Sequence, residues 1–444
     1  MLSAEENDIL TRVGPGTLMG NLLRRYWTPA LLSVEVPAPD SPPVRIRILG
    51  EDLIAFRDSA GKVGVMDHRC PHRGASLFLG RNEEGGLRCL YHGWKFDTSG
   101  QCIDMPSVPL HQDFKHKVCA KAYQAVERAG VVWVYMGVCE APPLPAFQIL
   151  DAPDEEINVG MIQRDCNYLQ AIEGEIDTAH FGYLHGGHAD VSRLDESEPF
   201  YFTVTNRAPE FHVMDAAWGT QYAGYRSAGE GRTYWRFSNF LFPFWTQAPN
   251  GEFDSHAHAR AWVPIDDNNC MYVFLWWKRA RAANSLPQPA YKDGTPIGGT
   301  GRGNRLLPNT TGWMGRWRMA DSEANDWGMD REAQRSSAIY SGIDGIHLQD
   351  QAITESMGPI VDHTFEHLGP SDQMITRTRR CLLRASRALR EAGTLPPGVT
   401  DGRVYHGARS GYFVSDDQRE WQEVYKHRLA AALHPAQEPA RAAE

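Results

Sequence analysis

Two short motifs in the first quarter of the 444-residue sequence carry side chains that bind metals. Cys70 and His72 form a Cys-x-His motif, and Cys89 and His92 form a Cys-x-x-His motif, with sixteen residues between the two motifs. A structural zinc site can use the same four side chains, but a zinc finger groups its two cysteines in one arm and its two histidines in the other. Here each arm supplies one thiolate and one imidazole. This division favours a [2Fe-2S] cluster in which one iron binds both cysteines and the other binds both histidines.

The residues next to the two motifs also favour an iron–sulfur cluster. The glycines in HRGA and YHGW let backbone N–H groups approach the bridging sulfides, and Trp94 supplies an apolar cover that limits solvent access. The stretch CPHRGASL…CLYHGWKF resembles the signature of the Rieske family, and structural zinc is the alternative. The other cysteines have no partner at metal-ligand spacing and are predicted to be core thiols: Cys102, Cys119, Cys139, Cys166, Cys270 and Cys381.

A second group of candidate ligands lies in DCNYLQAIEGEIDTAHFGYLH, residues 165–185, a segment that favours a helix. His180 and His185, completed by a distant carboxylate, would form the facial triad of a mononuclear Fe(II) oxygenase, which leaves coordination positions open for O₂. Five residues along an ideal helix rotate about 140° beyond one full turn, so the two rings would not face one metal. We therefore expect the helix to end or bulge near Gly182. Taken alone, two such histidines are as often ordinary surface residues.

The secondary structure that positions these residues changes along the chain. Residues 1–25 are predicted to be helical, with Ser3 and Glu6 at the spacing of a capping box. Short alternating segments over residues 44–138, punctuated by Gly, Asp and Asn, indicate a small antiparallel β-domain. The proline-rich segment 139–147 is predicted to be a linker.

A larger domain follows this linker. Two hairpins are predicted, one over TQYAGYRSAGEGRTYWRFSNF with its turn at residues 228–231, and one over HARAWVPIDDNNCMYVFLWWK. The Gly- and Pro-rich segment 286–311 is predicted to be a surface insertion. Helices are predicted over residues 312–340, over residues 371–393 and after Ser415. The pattern as a whole predicts an α+β protein with a sheet wrapped by helices.

Composition narrows the class of protein. Hydrophobic residues make up 42% of the chain and aromatic residues 10%, enough for a sizeable core. The net charge of −10 argues against nucleic-acid binding. No apolar run approaches the roughly 18 residues that span a bilayer, and the acidic start lacks the design of a signal peptide. We therefore expect a cytoplasmic protein without membrane association, in which paired Cys and His motifs indicate metal sites rather than disulfides.

Over nearly all of residues 1–430 the sequence resembles the oxygenase (α) subunit of the Rieske non-haem iron aromatic-ring-hydroxylating oxygenases, within the phthalate and phenoxybenzoate dioxygenase group. The matching segments are MLSAEENDILTRVGPGTLMGNLLRRYW, the Rieske stretch, LQAIEGEIDTAHFGYLH and QDQAITESMGPIVDHTFEHLGPSD. The resemblance implies an α+β fold with a small antiparallel Rieske domain and a larger catalytic domain of helix-grip type. The expected divisions are an N-terminal helical segment 1–25, a Rieske [2Fe-2S] domain 26–140, a catalytic mononuclear iron domain 141–432 and a disordered tail 433–444.

The resemblance also implies the third iron ligand and a residue that couples the two metal centres. The third ligand falls on Asp350, in competition with Glu355, Asp344 and Asp362. Asp177 is implied to bridge a Rieske histidine of one subunit to an iron-binding histidine of its neighbour, and its alternative role is to orient a histidine within one subunit. Bridging requires a ring of subunits, so a homotrimer or a stacked hexamer is expected.

The reaction that the resemblance implies uses an NADH-dependent flavin/iron–sulfur reductase, O₂ and a small aromatic substrate. Electrons would pass from the cluster through His92 or His72 and then Asp177 to the mononuclear iron. We expect dihydroxylation of a phthalate- or phenoxybenzoate-like carboxylate. Monooxygenation or O-demethylation is the alternative, and an electron-carrying Rieske protein without oxygenase activity is a remote one. A buried carboxylate needs a charged partner, and Arg207, just after the predicted strand YFTVTN, is the preferred candidate ahead of Arg236.

Overall fold

The computed structural model describes residues 2–196, 199–254, 257–277, 289–301 and 303–433. The strands in these residues are β1 Trp27–Leu32, β2 Val44–Ile48, β3 Glu51–Arg57, β4 Val63–Asp67, β5 Arg81–Glu83, β6 Gly86–Arg88, β7 Lys95–Phe96, β8 Cys102–Asp104, β9 Ala122–Arg128, β10 Val131–Tyr135, β11 Ile157–Arg164, β12 Glu210–Ala216, β13 Gly219–Ser227, β14 Thr233–Leu241, β15 Trp245–Gln247, β16 His258–Pro264, β17 Cys270–Trp277 and β18 Gly411–Ser415. The α-helices are α1 Ala4–Thr11, α2 Leu18–Leu23, α3 Tyr168–Ile176, α4 Pro199–Thr205, α5 Arg331–Arg335, α6 Ile346–Ser356, α7 Gln373–Ala392 and α8 Trp421–Leu433. Within the described residues, none of these helices combines the length and the apolarity needed to cross a bilayer.

The N-terminal segment forms two helices where residues 1–25 were predicted to be helical. Helix α1 begins with the predicted capping box, because the Ser3 hydroxyl accepts from the Glu6 N–H and the Glu6 carboxylate accepts from the Ser3 N–H, each over 3.2 Å. A Gly-Pro-Gly segment then breaks the helix, with Gly16 at φ +84°. The Thr17 hydroxyl caps α2 by accepting from the Gly20 N–H.

Two antiparallel sheets form the first part of the chain, as the alternating segments predicted. The larger sheet has six strands in the order β1-β10-β9-β4-β3-β2, and the smaller has four in the order β5-β6-β7-β8. The buried residues of β10, with Trp133 at their centre, pack into the main core of the molecule. The smaller sheet and the loops beside it surround a separate apolar cluster that includes Cys70 and Cys89.

An eight-stranded antiparallel sheet forms the larger part, in the order β11-β17-β16-β15-β14-β13-β12 with β18 paired to β14. Both predicted hairpins are confirmed as β13–β14 and β16–β17. Helix α7 packs on β13 through the apolar side of the helix, and it ends at Gly393, which adopts φ +66° as predicted for a helix stop. Helix α3 packs on β14, β15 and β16. The α+β prediction, a sheet covered by helices, is therefore confirmed.

The strand predicted over YFTVTN instead lies in helix α4 up to Thr205, and two further predictions of secondary structure are wrong. Residues 312–340 contain a 3₁₀ turn at Glu323–Gly328 and a single α-helix, the short α5, because Gly312, Gly315 and Gly328 interrupt the segment and Asp326 and Trp327 adopt left-handed backbone angles. The final helix starts at Trp421 rather than directly after Ser415, since residues 411–415 first add β18 to the sheet. In the predicted insertion 286–311, the described residues are mainly turns and irregular segments, and residues 286–288 and 302 lie outside the described residues, as do 434–444 of the predicted tail.

Candidate metal centres and active site

The two Cys/His motifs lie in two turns of closely similar backbone geometry. Each cysteine N–H donates to the carbonyl five residues further on, over 2.8 Å in both loops. Each cysteine carbonyl accepts from the N–H of the glycine four residues further on, Gly74 after Cys70 (2.8 Å) and Gly93 after Cys89 (3.0 Å). These glycines have φ of +75° and +77°, a region that residues with a Cβ rarely adopt. The repeated turn presents one thiol and one imidazole from each loop to the same space.

The four side chains in this space suit a Rieske cluster. The rings of His72 and His92 lie 4.4 Å apart between centroids, and Trp94 stacks on His72 at 4.3 Å, as expected of an apolar cover. Both cysteines are buried, and burial together with the neighbouring Cys89 thiol raises the pKa of Cys70 to about 11 in the protein without metal. The Nδ1 of His92 is buried and has no hydrogen-bond partner among the described residues. A buried imidazole nitrogen that makes no hydrogen bond keeps its lone pair free to bind an iron.

The remaining cysteines are only partly where the sequence predicted. Cys102, Cys166, Cys270 and Cys381 are buried, which agrees with core thiols. Cys119 and Cys139 are exposed, so the prediction is wrong for these two. Both lie in irregular segments next to charged residues, where the apolar pattern of a core strand is absent.

The expected interruption between His180 and His185 is confirmed. Helix α3 ends at Ile176, and Asp177 follows in an extended conformation. A π-helical turn over Phe181–His185 then brings the Nε2 atoms of the two histidines within 3.1 Å of each other. Gly182 permits this turn to pack closely on α4, because a Cβ there would lie 2.6 Å from the carbonyl oxygen of Thr203.

The structure brings Asp350 of helix α6 to these two histidines. Its Oδ1 lies 3.0 Å from His185 Nε2 and 3.5 Å from His180 Nε2, and the three ligand atoms form one compact group. Burial opposes ionisation of Asp350, but the two imidazoles outweigh it and hold the pKa of this carboxyl well below its usual value. Two imidazole nitrogens and one carboxylate oxygen gathered in this way suit a facial triad, and these three residues are called the triad below.

The competing carboxylates have other partners. Glu355 accepts from the Asp165 N–H and from the Trp327 indole, Asp344 accepts from the Gly301 N–H, and Asp362 accepts from the N–H and hydroxyl of Thr364. The structure therefore does not bring these three residues to the histidines.

Each histidine of the triad is supported on its other ring nitrogen. Asp177 Oδ2 lies 3.2 Å from His180 Nδ1, and Gln349 Oε1 lies 2.6 Å from His185 Nδ1. Such partners fix the tautomer that keeps Nε2 free for a metal. Gln349 was not singled out from the sequence, although its position directly before Asp350 was a signal that could have pointed to it.

A small cavity of about 60 Å³ adjoins the triad. Its wall includes Thr178, Phe181, Arg236, Arg260 and Tyr272. Arg236 is 2% exposed and donates to the Thr178 hydroxyl (2.8 Å) and to the Tyr234 hydroxyl (3.2 Å). Its guanidinium lies over the Phe181 ring at 4.6 Å.

Arg207, the candidate that the sequence favoured for a substrate carboxylate, lies elsewhere. Its Nε donates to the Gly182 carbonyl over 3.0 Å and its Nη2 donates to the Gly187 carbonyl. Arg207 is not among the described residues that line the cavity. The guanidinium is instead held by one backbone carbonyl of the π-helical turn and one just after it, an arrangement that no local sequence pattern predicts.

A second and wider cleft, of about 260 Å³, shares Asp177, His180 and Asp350 with this cavity. Its rim carries apolar side chains that are half exposed, including Ile353 (44%) and Met357 (48%). His180 and Asp177 can therefore be approached from outside the chain through this cleft.

Comparison with known proteins agrees with this geometry. The Rieske [2Fe-2S] domain family matches residues 26–115, and the family described as LigXa C-terminal domain like matches residues 134–442. The 3-chlorobenzoate-3,4-dioxygenase oxygenase subunit of Comamonas testosteroni is 48% identical over 97% of this chain and 99% of its own. The phthalate 4,5-dioxygenase oxygenase subunit of Pseudomonas putida is 35% identical over 98% and 97%. The 5,5'-dehydrodivanillate O-demethylase oxygenase subunit of Sphingobium sp. is 32% identical over 86% and 80%.

Among solved structures, the Pseudomonas putida CBB5 NdmA QL mutant with theobromine superposes with a TM-score of 0.55 at 18% identity, over 90% of this chain and 99% of that one, which supports the fold. The two matched families together cover both the Cys/His turns and the facial triad. The chain belongs to the Rieske non-haem iron oxygenases, as an oxygenase subunit of the kind that acts on aromatic compounds with a Rieske [2Fe-2S] cluster and a mononuclear iron.

Proposed function

We propose that this chain is the terminal oxygenase component that dihydroxylates an aromatic carboxylate, using O₂ and electrons from an NADH-dependent reductase. The observation that carries the proposal is Arg236, a buried cation in the wall of the cavity beside the triad. Among the described residues, no carboxylate lies within ion-pair distance of its guanidinium, which donates to two hydroxyl groups. A buried charge without a counter-charge costs several kcal/mol, and an anionic ligand offsets that cost.

Arg260 also lies in this wall, but its charge is already paired. Arg260 forms an ion pair with Glu175 over 2.5 Å, and both side chains are nearly buried. Two buried guanidinium groups in this wall have no ion pair among the described residues, those of Arg164 and Arg236. Arg164 donates to the Thr354 hydroxyl, whereas Arg236 bonds to Thr178, directly after Asp177, which favours Arg236 as the partner of a ligand beside the triad. Guanidinium groups bind carboxylates bidentately, so Arg236 fixes both the position and the rotation of a benzoate ring.

Arg236 lies in β14, and Thr178 connects it to the residues of the triad. In the register of β13 and β14, the residue paired with Arg236 is Gly224, which places no side chain beside the guanidinium. Thr178 joins this position to the triad, because it bonds to Arg236 and directly follows Asp177. A carboxylate held here directs the rest of the molecule towards the histidines. The names of the two most similar relatives reported above, a chlorobenzoate and a phthalate dioxygenase, point to the same class of substrate.

We assign the metal ligands accordingly. Cys70, Cys89, His72 and His92 hold the [2Fe-2S] cluster, and His180, His185 and Asp350 hold the mononuclear iron. When bound, the cluster supplies single electrons and the mononuclear iron supplies the site of O₂ activation. The protein holds both imidazoles of the triad with Nε2 free, and the polar wall of the cavity, with the rings of Phe181 and Tyr272, orients the substrate.

We further propose that Asp177 accepts a second hydrogen bond from a Rieske histidine of a neighbouring copy in a homotrimer, or in a stacked hexamer. Exposed apolar residues support this arrangement at both ends. Leu90 (60%) and Tyr91 (56%) directly precede His92, and Ile353 and Met357 line the cleft that reaches Asp177. A ring of copies would bury both patches.

Monooxygenation or O-demethylation is the second candidate, because the same metal ligands serve both reactions and an O-demethylase subunit is among the relatives. Product analysis with ¹⁸O₂ separates the two. Two labelled oxygens in a cis-dihydrodiol support dihydroxylation, and one labelled oxygen in a phenol or a dealkylated product supports the second candidate. An electron-carrying role without oxygenase activity would give no labelled product.

The substrate class is tested with Arg236→Met against a panel of benzoates and the matching neutral benzamides. We expect KM for the carboxylates to rise about 10- to 100-fold, with iron content unchanged, and a much smaller effect on the amides. Arg232→Met, at an exposed arginine in the same β13–β14 hairpin, is the matched control. Equal losses on acids and amides would contradict a carboxylate at Arg236.

A further inference from the structure

Gln349 lies beside Asp350 on helix α6 and packs against the ring of His185. Its Oε1 is 2.6 Å from His185 Nδ1, and the two residues are 1% and 3% exposed. Water does not compete for a hydrogen bond at this depth, so the contact constrains both the rotation and the protonation of the imidazole.

The orientation of the Gln349 amide is set by acceptors on its far side. Nε2 lies 2.7 Å from the Ile343 carbonyl, 3.0 Å from the Gly299 carbonyl and 3.0 Å from the Ser341 hydroxyl. Carbonyl oxygens only accept hydrogen bonds, so the amide NH₂ faces them. Oε1 must then face His185.

A fixed amide oxygen fixes the tautomer of the histidine. Because Oε1 only accepts, Nδ1 of His185 carries the proton. Nε2, which lies 3.0 Å from Asp350 Oδ1, keeps its lone pair for a metal. Without the amide, the proton is free to move to Nε2, and that tautomer cannot bind iron.

Two segments hold the amide in place. The Gly299 carbonyl also accepts from the Gly345 N–H over 3.0 Å, at the start of α6. The Ser341 hydroxyl accepts from the Ile343 N–H over 3.1 Å. Gly299 has φ +84°, and a Cβ at this position would lie 2.8 Å from Gln349 Nε2. The amide is therefore clamped from both loops.

We propose that Gln349 is a positioning residue that sets the affinity and the ligand geometry of the mononuclear iron by holding His185 as the Nδ1–H tautomer. The inference rests on the proposed role of His180, His185 and Asp350 as iron ligands. Under this proposal, the two histidines are held in place by different kinds of group. His180 has the charged Asp177, which borders the open cleft, whereas His185 has a neutral amide inside the fold.

The test uses the full-length protein with its cluster intact. The mononuclear iron is removed with a chelator, and Fe(II) is titrated back anaerobically in a calorimeter. We expect Gln349→Met to bind Fe(II) about 10- to 100-fold more weakly than the wild type. We also expect a changed rhombicity in the EPR spectrum of the nitric oxide adduct, which a purely structural role would not produce, together with an unchanged cluster spectrum.

Gln351→Met is the matched control. Gln351 lies on the same helix, is 3% exposed and donates to Glu355 over 2.8 Å, with no hydrogen bond to either triad histidine among the described residues. Its Fe(II) affinity and EPR signal should equal those of the wild type. Equal weakening in both variants would overturn the inference, because loss of any buried amide on α6 would then explain the result.

A second route reaches the same amide and covers the case in which Gln349→Met does not fold. Gly299→Ala presses on Nε2 and should by itself weaken Fe(II) binding, and wild-type affinity in this variant would contradict an action through Gln349. Where Gln349→Met also folds, Gly299→Ala should add no further weakening to it. Additive effects of the two changes would contradict an action through Gln349.

His185→Ala separates this inference from the proposed function. If His185→Ala retains the mononuclear iron, the assignment of the triad fails. If His185→Ala loses that iron while Gln349→Met binds it as tightly as the wild type, the triad stands and the role of Gln349 is overturned.

Discussion

The carboxylate of Asp177 lies 3.2 Å from Nδ1 of His180, at the border of the wide cleft, with about a quarter of each side chain exposed. Burial opposes ionisation of Asp177, but His180 and the backbone N–H of Ala179 outweigh it and lower the pKa of this carboxyl. Asp177 is therefore ionised at neutral pH. A charged oxygen remains available to a second donor that approaches through the cleft.

Asp177→Asn tests this relationship. The change keeps the shape of the side chain and removes the charge that orients the imidazole. We expect both metal centres to load and the cluster to remain reducible by the reductase, while turnover falls at least about 10-fold. Iron analysis, the rate of cluster reduction and the steady-state rate are measured on the same preparation. Turnover close to that of the wild type would show that Asp177 does not couple the centres.

The two ligand sets predict the metal content. The purified protein should contain three irons and two acid-labile sulfides per chain, because the Cys/His turns and the facial triad use separate residues. Cys89→Ser should lose the cluster iron and retain the triad iron, and His185→Ala should do the reverse. Elemental analysis with EPR of the reduced cluster checks both. Stoichiometric zinc in place of iron would contradict the assignment.

Arg207 has a role in the structure that differs from the expected one. It bridges the carbonyls of Gly182 and Gly187, on either side of His185. Arg207→Lys keeps the charge but cannot span both carbonyls with its single ammonium. We expect the triad iron content to fall several-fold and turnover to fall equally for carboxylates and neutral analogues.

Arg193→Met serves as the control for Arg207→Lys, since Arg193 forms an exposed ion pair with Asp293 near the same turn. Iron content in this control should not change. If Arg207→Lys instead retained its iron and lost only carboxylate substrates, Arg207 would be the carboxylate-binding residue after all.

The sequence predicted those parts of the site that depend on local geometry. The Cys/His turns each lie within six residues, and the break near Gly182 follows from the angle that five residues subtend on a helix. Asp350 is 165 residues beyond His185 in the chain, so only the family resemblance could connect them.

The features of the site that the sequence did not predict depend on tertiary packing. In β14 nearly every residue is buried on both faces, so the usual alternation could not show that Arg236 faces the cavity. Arg207 was favoured for its place at the end of an apolar segment, which proved to be helix α4 rather than a strand. The support of His185 by Gln349 needs the positions of two loops, at residues 299 and 341–343, that no local pattern predicts.

A second buried guanidinium, that of Arg226, lies on the same face of the sheet as Arg236. Its register partner in β14 is Tyr234, which also bonds to Arg236. The Nε of Arg226 donates to the Asn206 carbonyl over 2.7 Å, whereas Nη1 and Nη2 are buried with no partner among the described residues. Burial and the nearby charge of Arg236 lower the pKa of Arg226 to about 10. The two cations together favour the binding of an anion in the adjoining cavity. When no anion is bound, their buried positive charges destabilise the folded protein.

Arg226→Met should therefore stabilise the substrate-free protein and weaken the binding of carboxylates. Methionine fills a similar volume without the buried charge, and we expect a gain of about 1–3 kcal/mol in the free energy of unfolding. The expected loss of carboxylate affinity is smaller than for Arg236→Met, because Arg226 acts on the cavity through its charge and not by contact. Thermal melting without ligand and substrate titration check the two effects, with exposed Arg232→Met as the control. A less stable Arg226→Met protein would show that the guanidinium has favourable partners in the free protein, and the argument for a cavity held ready for an anion would then rest on Arg236 alone.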